Sequence, residues 1–441
     1  MSVLKRIGLT RRDLRAWALY DCANSAFSTT IITAVFPLFF ANFVAVNLEP
    51  AVATARFALA TTIAASIIAV LGPFLGAIAD YRSEKKKLLA ICVALGVTAT
   101  SLMVLIDTGE CQFAIGLFIV SNIALGASLI FYDSLLPHIA SSDEIDQVST
   151  SGFALGYLGG GVLLLINLAW ILSPTTFGLP DVTAAIKLSF ASVAIWWLVF
   201  SIPLLRHVPE PAGLPTSHSE PSQRSNAGIT LTRVITTFRE LRNLRNPFLM
   251  LVAFFLYNDG VQTIIRMSAI YGAEIGIGTN AQLAAFVTVQ FVGIPFAFLF
   301  GRFANHVGPK LAILVSLAVY TGICVLGYFM TTALHFFTLA ILVGMVQGGS
   351  QALSRSLFAR MIPRYKSSEY FGFFSVFQRL SGILGPAVFA AVVTTTGSSR
   401  PAVFALIAFF AAGALVLSRV NVLEGEQQAR ALESVAEKLH Q

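Results

Sequence analysis

Asp259 and Arg266 stand seven residues apart in the run LVAFFLYNDGVQTIIRMSAIYG, which holds no other charged residue. As a helix the run puts them on one face, two turns and about 10 Å apart. That is too far for a direct pair but close enough to bracket a solute carrying both charges, and a carboxylate in such a place can also exchange a proton. Asn258, Gln262 and Thr263 add hydrogen-bonding groups around it. ALYDCANSAFSTTIITAVFP offers a counterpart cluster in Asp21, Asn24, Ser25, Thr29 and Thr33, while Asp133, Arg355 and Arg379 each stand in or at the end of a further apolar run. For any single Ser or Thr, bonding between neighbouring helices is the plainer role. For Asn24 and Gln262 the ligand and packing readings weigh equally, since an unpaired amide in hydrocarbon costs more than a hydroxyl that bonds its own helix. There is no GxxxxGK[ST], HExxH or GxSxG motif, and His138, His306 and His335 are isolated from one another. Cys22, Cys92, Cys111 and Cys324 form no CxxC pair and read as small core residues. The chemistry on offer is binding and charge movement, with no metal and no cofactor expected.

The elements that must hold these groups are membrane helices. Of 441 residues, 56% are hydrophobic and 12% charged, whereas a soluble domain has about 25% charged residues; mean hydropathy is +0.78. Crossing a hydrocarbon core takes about 20 apolar residues, and such runs occur twelve times, near 17–43, 57–79, 88–106, 112–132, 152–172, 184–205, 247–272, 282–303, 311–331, 336–356, 371–395 and 401–418. The expected fold is an all-α integral membrane protein. An even number of spans puts both termini on one side. Of the 29 Lys and Arg residues, 24 fall in the termini and the connections on that side, and only Arg56, Lys187 and Arg400 in those opposite. Positive charge stays inside, so both termini are expected in the cytoplasm. The first run is too long for a signal-peptide core and reads as an uncleaved helix.

The chain divides as 1–205, a first six-helix bundle; 206–246, a cytoplasmic linker; 247–420, a second six-helix bundle; and 421–441, a short charged tail. The linker is rich in Pro and Ser from Pro209 to about Asn226. It then shows Leu231, Val234, Ile235, Phe238, Leu241 and Leu244 at helical spacing among Arg233, Arg239, Arg242 and Arg245. That pattern suits either a helix on an anionic leaflet or a partner for the underside of the bundles. The halves repeat each other. Gly76, Asp80 and Lys85 recur as Gly301, Asn305 and Lys310, each 225 residues later, and Asp21, Asn24 and Ser25 recur as Asp259, Gln262 and Thr263 with a shift of 238. Gly152, Gly156 and Gly160, like Gly72 and Gly76, are spaced to let helices approach closely.

GAIADYRSEKKK resembles the G-x-L-A-D-R-x-G-R-K-like loop of the major facilitator superfamily, departing from it at Tyr81 and Glu84. ALYDCANSAFSTTIITAVFP, YDSLLPHIA, SGFALGYLGGG, FLYNDGVQTI, VQFVGIPFAFLFGR, QGGSQALSRSLFARMIP and EYFGFFSVFQRLSGILGP are similar to the permease subfamily that includes the fungal vacuolar amino-acid effluxer of autophagy. The resemblance covers nearly the whole chain except the linker and tails. It implies the two-bundle fold, alternating access and a small nutrient as solute, with amino acids as the example. It also implies a conformational role for Gly76, Asp80 and Lys85, which would dock the bundles at the cytoplasmic face; Asn305 has lost the carboxylate in the second copy.

Asp21, Asp133, Arg355 and Arg379 all fall in the cytoplasmic half of their spans, with the acids in the first bundle and the bases in the second. They are expected to form salt bridges across the inner gate and to break them as the bundles rock. The competing reading has Asp133 and Arg355 marking span ends, where charges reach water. The function expected is secondary active transport of a small polar solute across the inner membrane, with a proton gradient able to couple through Asp259 or Asp21; uniport, or drug or sugar export on the same fold, is the alternative. An integral-membrane enzyme would need clustered acids, histidines or metal ligands. A non-transporting sensor would need a soluble domain larger than this tail. The expected partners are membrane lipids, the solute and protons, acting on a monomer without nucleic acid.

Overall fold

The structure is a computed structural model describing residues 3–211 and 227–438. The Pro- and Ser-rich stretch of the linker lies outside the described residues from 212 to 226. Among the described residues, twelve helices are long and apolar enough to cross a membrane: α1 Arg12–Val44, α2 Val52–Arg82, α3 Lys85–Leu105, α4 Cys111–Ile139, α5 Ile145–Leu172, α6 Val182–His207, α7 Arg245–Glu274, α8 Asn280–Val307, α9 Pro309–Tyr328, α10 Ala333–Arg360, α11 Arg364–Thr396 and α12 Ser399–Ser418. A helix satisfies its own backbone hydrogen bonds, as a segment in hydrocarbon must.

The bundles are built alike. In the first, α1 packs on α5 and α6, α2 on α4, and α3 on α4 and α6; in the second, α7 packs on α11 and α12, α8 on α10, and α9 on α10 and α12. The interface between them repeats too, with α2 against α11 and α5 against α8. The chain-end face, which carries most of the Lys and Arg, is called the basic face below.

Glycines set how closely the bundles meet there. Gly372 of α11 lies against α2 so tightly that a Cβ on it would sit 2.7 Å from the Gly72 carbonyl oxygen, and one on Gly76 would collide with the Ser368 backbone. Gly152, Gly156 and Gly160 bring α5 onto Asp21, Ser25 and Thr29 of α1.

Two spans depart from regular α-helix. The α1 backbone loosens into π-helical turns at Ser28–Ala34 and Phe40–Val44. Span α11 is broken: one helix ends at Leu380, another begins at Leu384, and Gly382 between them adopts φ 98°, which L side chains rarely take. The apolar run of this span starts only near residue 371. Because the span itself begins at Arg364, Arg379 falls at mid-span rather than in the basic-face half.

The connector helix, Ala227–Asn243, packs beneath α2, α7 and α11. Leu241 is fully buried and Phe238 touches Phe248 and Phe373, while Leu231 and Ile235 remain exposed. Its polar groups dock as well. Arg233 pairs with Glu369 at 2.6 Å and lies over the Tyr81 ring, Thr237 also donates to Glu369, and Lys366 pairs with Glu240 at 2.6 Å. The underside of the bundles thus covers one side of this helix. The tail helix, Val422–Lys438, docks on the same face through Glu426 to Arg360 and Glu433 to the Arg364 N–H.

Candidate functional site

Arg355 ties the bundles together. It projects from α10 and is 4% exposed, so it is not the loop cation that its place near the predicted span end suggested. Its guanidinium reaches Asp21 of α1 and Asp133 of α4, each at 3.1 Å, and donates to the Ser149 hydroxyl and carbonyl of α5 at 2.9 and 3.0 Å. The Trp17 and Phe153 rings lie 4.7 Å from it, and Tyr132 lies 5.4 Å away. Arg suits this box because its planar fork can bond several acceptors while its face stacks on rings. Asn24 is a supporting residue here: its amide donates to Asp21 at 3.2 Å and to the Tyr20 carbonyl. Arg379, expected in the same gate, is absent from it because it sits at mid-span in α11.

Two further clasps close the basic face. Asp80 at the end of α2 pairs with Lys85 at 2.8 Å and accepts the Glu369 N–H at 2.8 Å, at the start of the α11 helix Ser367–Leu380. A carboxylate at a helix N-terminus meets both unpaired N–H groups and the positive end of the dipole. Lys85 adds a 2.6 Å bond to Ser367. In the second copy, Lys310 instead caps the end of α12 by donating to the Ser418 and Val420 carbonyls. The other clasp, Asp146 of α5 to Ser356 and Arg360 of α10, was not singled out in the sequence. Its only signal was an acid at the start of a span.

Because Gly76 meets backbone, which cannot step aside as a side-chain tip can, Gly76→Ala should wedge this interface apart. Overpacking costs about 1–3 kcal/mol, so maleimide labelling of a cysteine placed at the fully buried Ser356 should speed up by about tenfold or more. Unchanged labelling would show that the interface absorbs the methyl group.

Asp259 has a structural partner that its spacing from Arg266 did not reveal. Its carboxylate is fully buried and accepts three backbone N–H groups across the α11 break, from Gly382 at 2.9 Å, Leu384 at 3.1 Å and Gly385 at 2.8 Å. Asn258 bonds Ser381 and accepts from Gln351 at 2.6 Å, while Arg266 donates to the Gly382 carbonyl at 3.0 Å. Three residues read as solute ligands are therefore engaged in holding a break in the neighbouring helix. An interrupted helix leaves donors and acceptors that hydrocarbon cannot satisfy, and α7 supplies their partners.

A cavity of about 580 Å³ lies between the bundles. Its lining includes Thr29 and Thr33 of α1, Asn122 of α4, Tyr157 of α5, and Gln262 and Arg266 of α7, with Gln378 and Arg379 at the α11 break. It extends to Met330 and Phe336, which flank the connection between α9 and α10 on the face opposite the basic one. Asp21, Asn24, Asn258 and Asp259 do not line it. Asn122 and Tyr157 carry no charge, and nothing in their sequence surroundings marks them as cavity residues.

A cavity that extends toward one membrane face, with ion clasps closing the other, makes the geometry of a carrier. A family model described as vacuole effluxer Atg22 like matches residues 45–430. The uncharacterized MFS-type transporter YxiO of Bacillus subtilis is 38% identical over 407 residues, 92% of this chain and 94% of its own. Autophagy-related protein 22 of Yarrowia lipolytica is 26% identical over 316 residues, 66% of this chain, and the match spans about half (53%) of that relative's length. Among solved structures, the proton:xylose symporter XylE aligns with a TM-score of 0.67 at 14% identity, covering 96% of this chain and 98% of that one. The transporter FucP in its outward conformation aligns with a TM-score of 0.68 at 15% identity, covering 94% and 99%. At such identities these two speak for the fold alone. The chain belongs to the Atg22-like family of the major facilitator superfamily, and is a membrane transporter rather than an enzyme.

Proposed function

We propose that this protein is a secondary active transporter that moves a small polar solute of amino-acid size across the inner (plasma) membrane by alternating access, as a monomer with both termini in the cytoplasm. One observation carries the reading: Arg355 of one bundle is bonded to Asp21 and Asp133 of the other, beneath a cavity that extends toward the opposite face. Such a contact holds one state of a rocking pair, and its rupture gives the other. The cavity volume falls in the range of small-molecule sites. The Lys and Arg bias supports the orientation, with the closed face toward the cytoplasm.

Proton coupling fits the gate better than it fits Asp259. Two carboxylates share one guanidinium, so the cluster has a negative charge in excess, and one proton would balance it. Asp259 is already held by three backbone donors.

The test is counterflow in proteoliposomes loaded with amino acids and with simple carboxylic acids, each labelled in turn, with and without a pH gradient. Protein-dependent counterflow of one class, stimulated by the gradient, is the expected result. No counterflow of any solute by folded protein would refute the transport reading of this site.

A further inference from the structure

The cavity carries an unmatched positive charge. Among the described residues lining it there is no Asp, Glu, Lys or His, and the charged groups are Arg266 and Arg379. Arg266 is balanced, because Gly382 stands between it and Asp259, giving its carbonyl to the guanidinium and its N–H to the carboxylate. Arg379 has no such partner. It makes no ion pair or hydrogen bond with a described residue, and its Nε is buried without an acceptor. Its guanidinium crosses from α11 to the first bundle, where a Cβ on Gly126 of α4 would sit 2.7 Å from Nη2.

A guanidinium keeps its charge at any pH the protein meets. Leaving it unpaired in a membrane interior is costly, and its planar fork matches a carboxylate in two parallel hydrogen bonds. The wall of the same cavity is apolar at Leu125, Ile265, Phe286 and Phe389, with neutral polar groups at Thr61, Asn122 and Gln378.

We propose that the cavity binds an organic monoanion, with its carboxylate on Arg379 and its apolar body against these side chains. This rests on the transport reading and narrows its solute. A cationic group has no carboxylate to meet in the lining, so a zwitterionic amino acid should bind less well than the acid that lacks its amine.

The experiment measures thermal unfolding of the purified full-length protein against probes of matched shape: 4-methylpentanoate, leucine and leucinamide, and phenylacetate against phenylacetamide. The carboxylates should raise the unfolding temperature saturably, leucine less so, and the two amides not at all. Arg379→Gln should weaken carboxylate binding about 10- to 100-fold, the range for charge-assisted bonds, with Arg379→Lys in between because it keeps the charge and loses the fork. The proposal falls if the amides bind as tightly as the acids, if none of the carboxylates binds, or if folded Arg379→Gln keeps the parent affinity. Should the glutamine variant not fold, the acid and amide comparison in the unaltered protein still decides. Carboxylate binding without counterflow would refute transport and leave the site; counterflow of a neutral solute that carboxylates do not inhibit would do the reverse.

Discussion

Arg355→Gln is expected to abolish counterflow, reducing it about 100-fold or more, and to open the basic face. The substitution leaves Asp21 and Asp133 buried without their shared cation, and removing one member of a buried ion pair costs about 3–5 kcal/mol. Since the pair joins the two bundles, that loss falls on the basic-face-closed state and shifts the population away from it. A cysteine at Ser356 should therefore label faster. Arg355→Lys should be nearly as damaging, because an ammonium cannot hold both carboxylates and Ser149 while stacking on Trp17 and Phe153. Asp21→Asn in the glutamine background should restore part of the lost transport by removing one unpaired charge. The sharpest check is Asp133→Arg with Arg355→Asp, which keeps the charge count. If the double variant recovers none of the transport lost in either single variant, the contact is not used in the cycle.

Asp259→Ala should destabilise the protein by about 3 kcal/mol or more, since each of three buried N–H groups loses its acceptor and an unsatisfied donor costs about 1–3 kcal/mol. The effect should appear as a lower unfolding temperature in detergent. Asp259→Asn retains one acceptor oxygen and should be milder, transporting solute with its response to a pH gradient intact. An alanine variant as stable as the parent would refute the role in holding the α11 break. A folded asparagine variant that loses only its gradient response would mean that Asp259 carries the coupling proton.

Twelve spans and the likeness of the halves could be read from the chain because both rest on local pattern: apolar length, basic connections, and Gly76, Asp80 and Lys85 recurring as Gly301, Asn305 and Lys310. Residues far apart in sequence were harder. Asp21, Asp133 and Arg355 share a depth, which suggested that they meet, but nothing in their spacing shows that one guanidinium takes both carboxylates. The backbone contacts of Asp259 were hidden for a more instructive reason. A midplane acid two turns from an arginine has the same signature whether it faces a cavity or a neighbouring backbone, and the break it serves lies 123 residues away at Gly382. The break itself left a trace, Ser381, Gly382 and Gly385 in an apolar run, which alone reads as close packing. The connector helix had two apolar-face readings, and its docking depended on Glu369 and Glu240 meeting Arg233 and Lys366.

The interrupted span also bears on the order of events during rocking. The α11 helix on the basic side of the joint, Ser367–Leu380, packs against α2 and α4 of the first bundle as well as α7 of its own, whereas Leu384–Thr396 beyond it packs against α7 and the start of α12. One continuous rod would have to carry its far half along when its near half leaves the first bundle. Two short rods meeting at Gly382 let the near half swing away first while the far half keeps its seat in its own bundle, with Asp259 acting as the pin on which the joint turns.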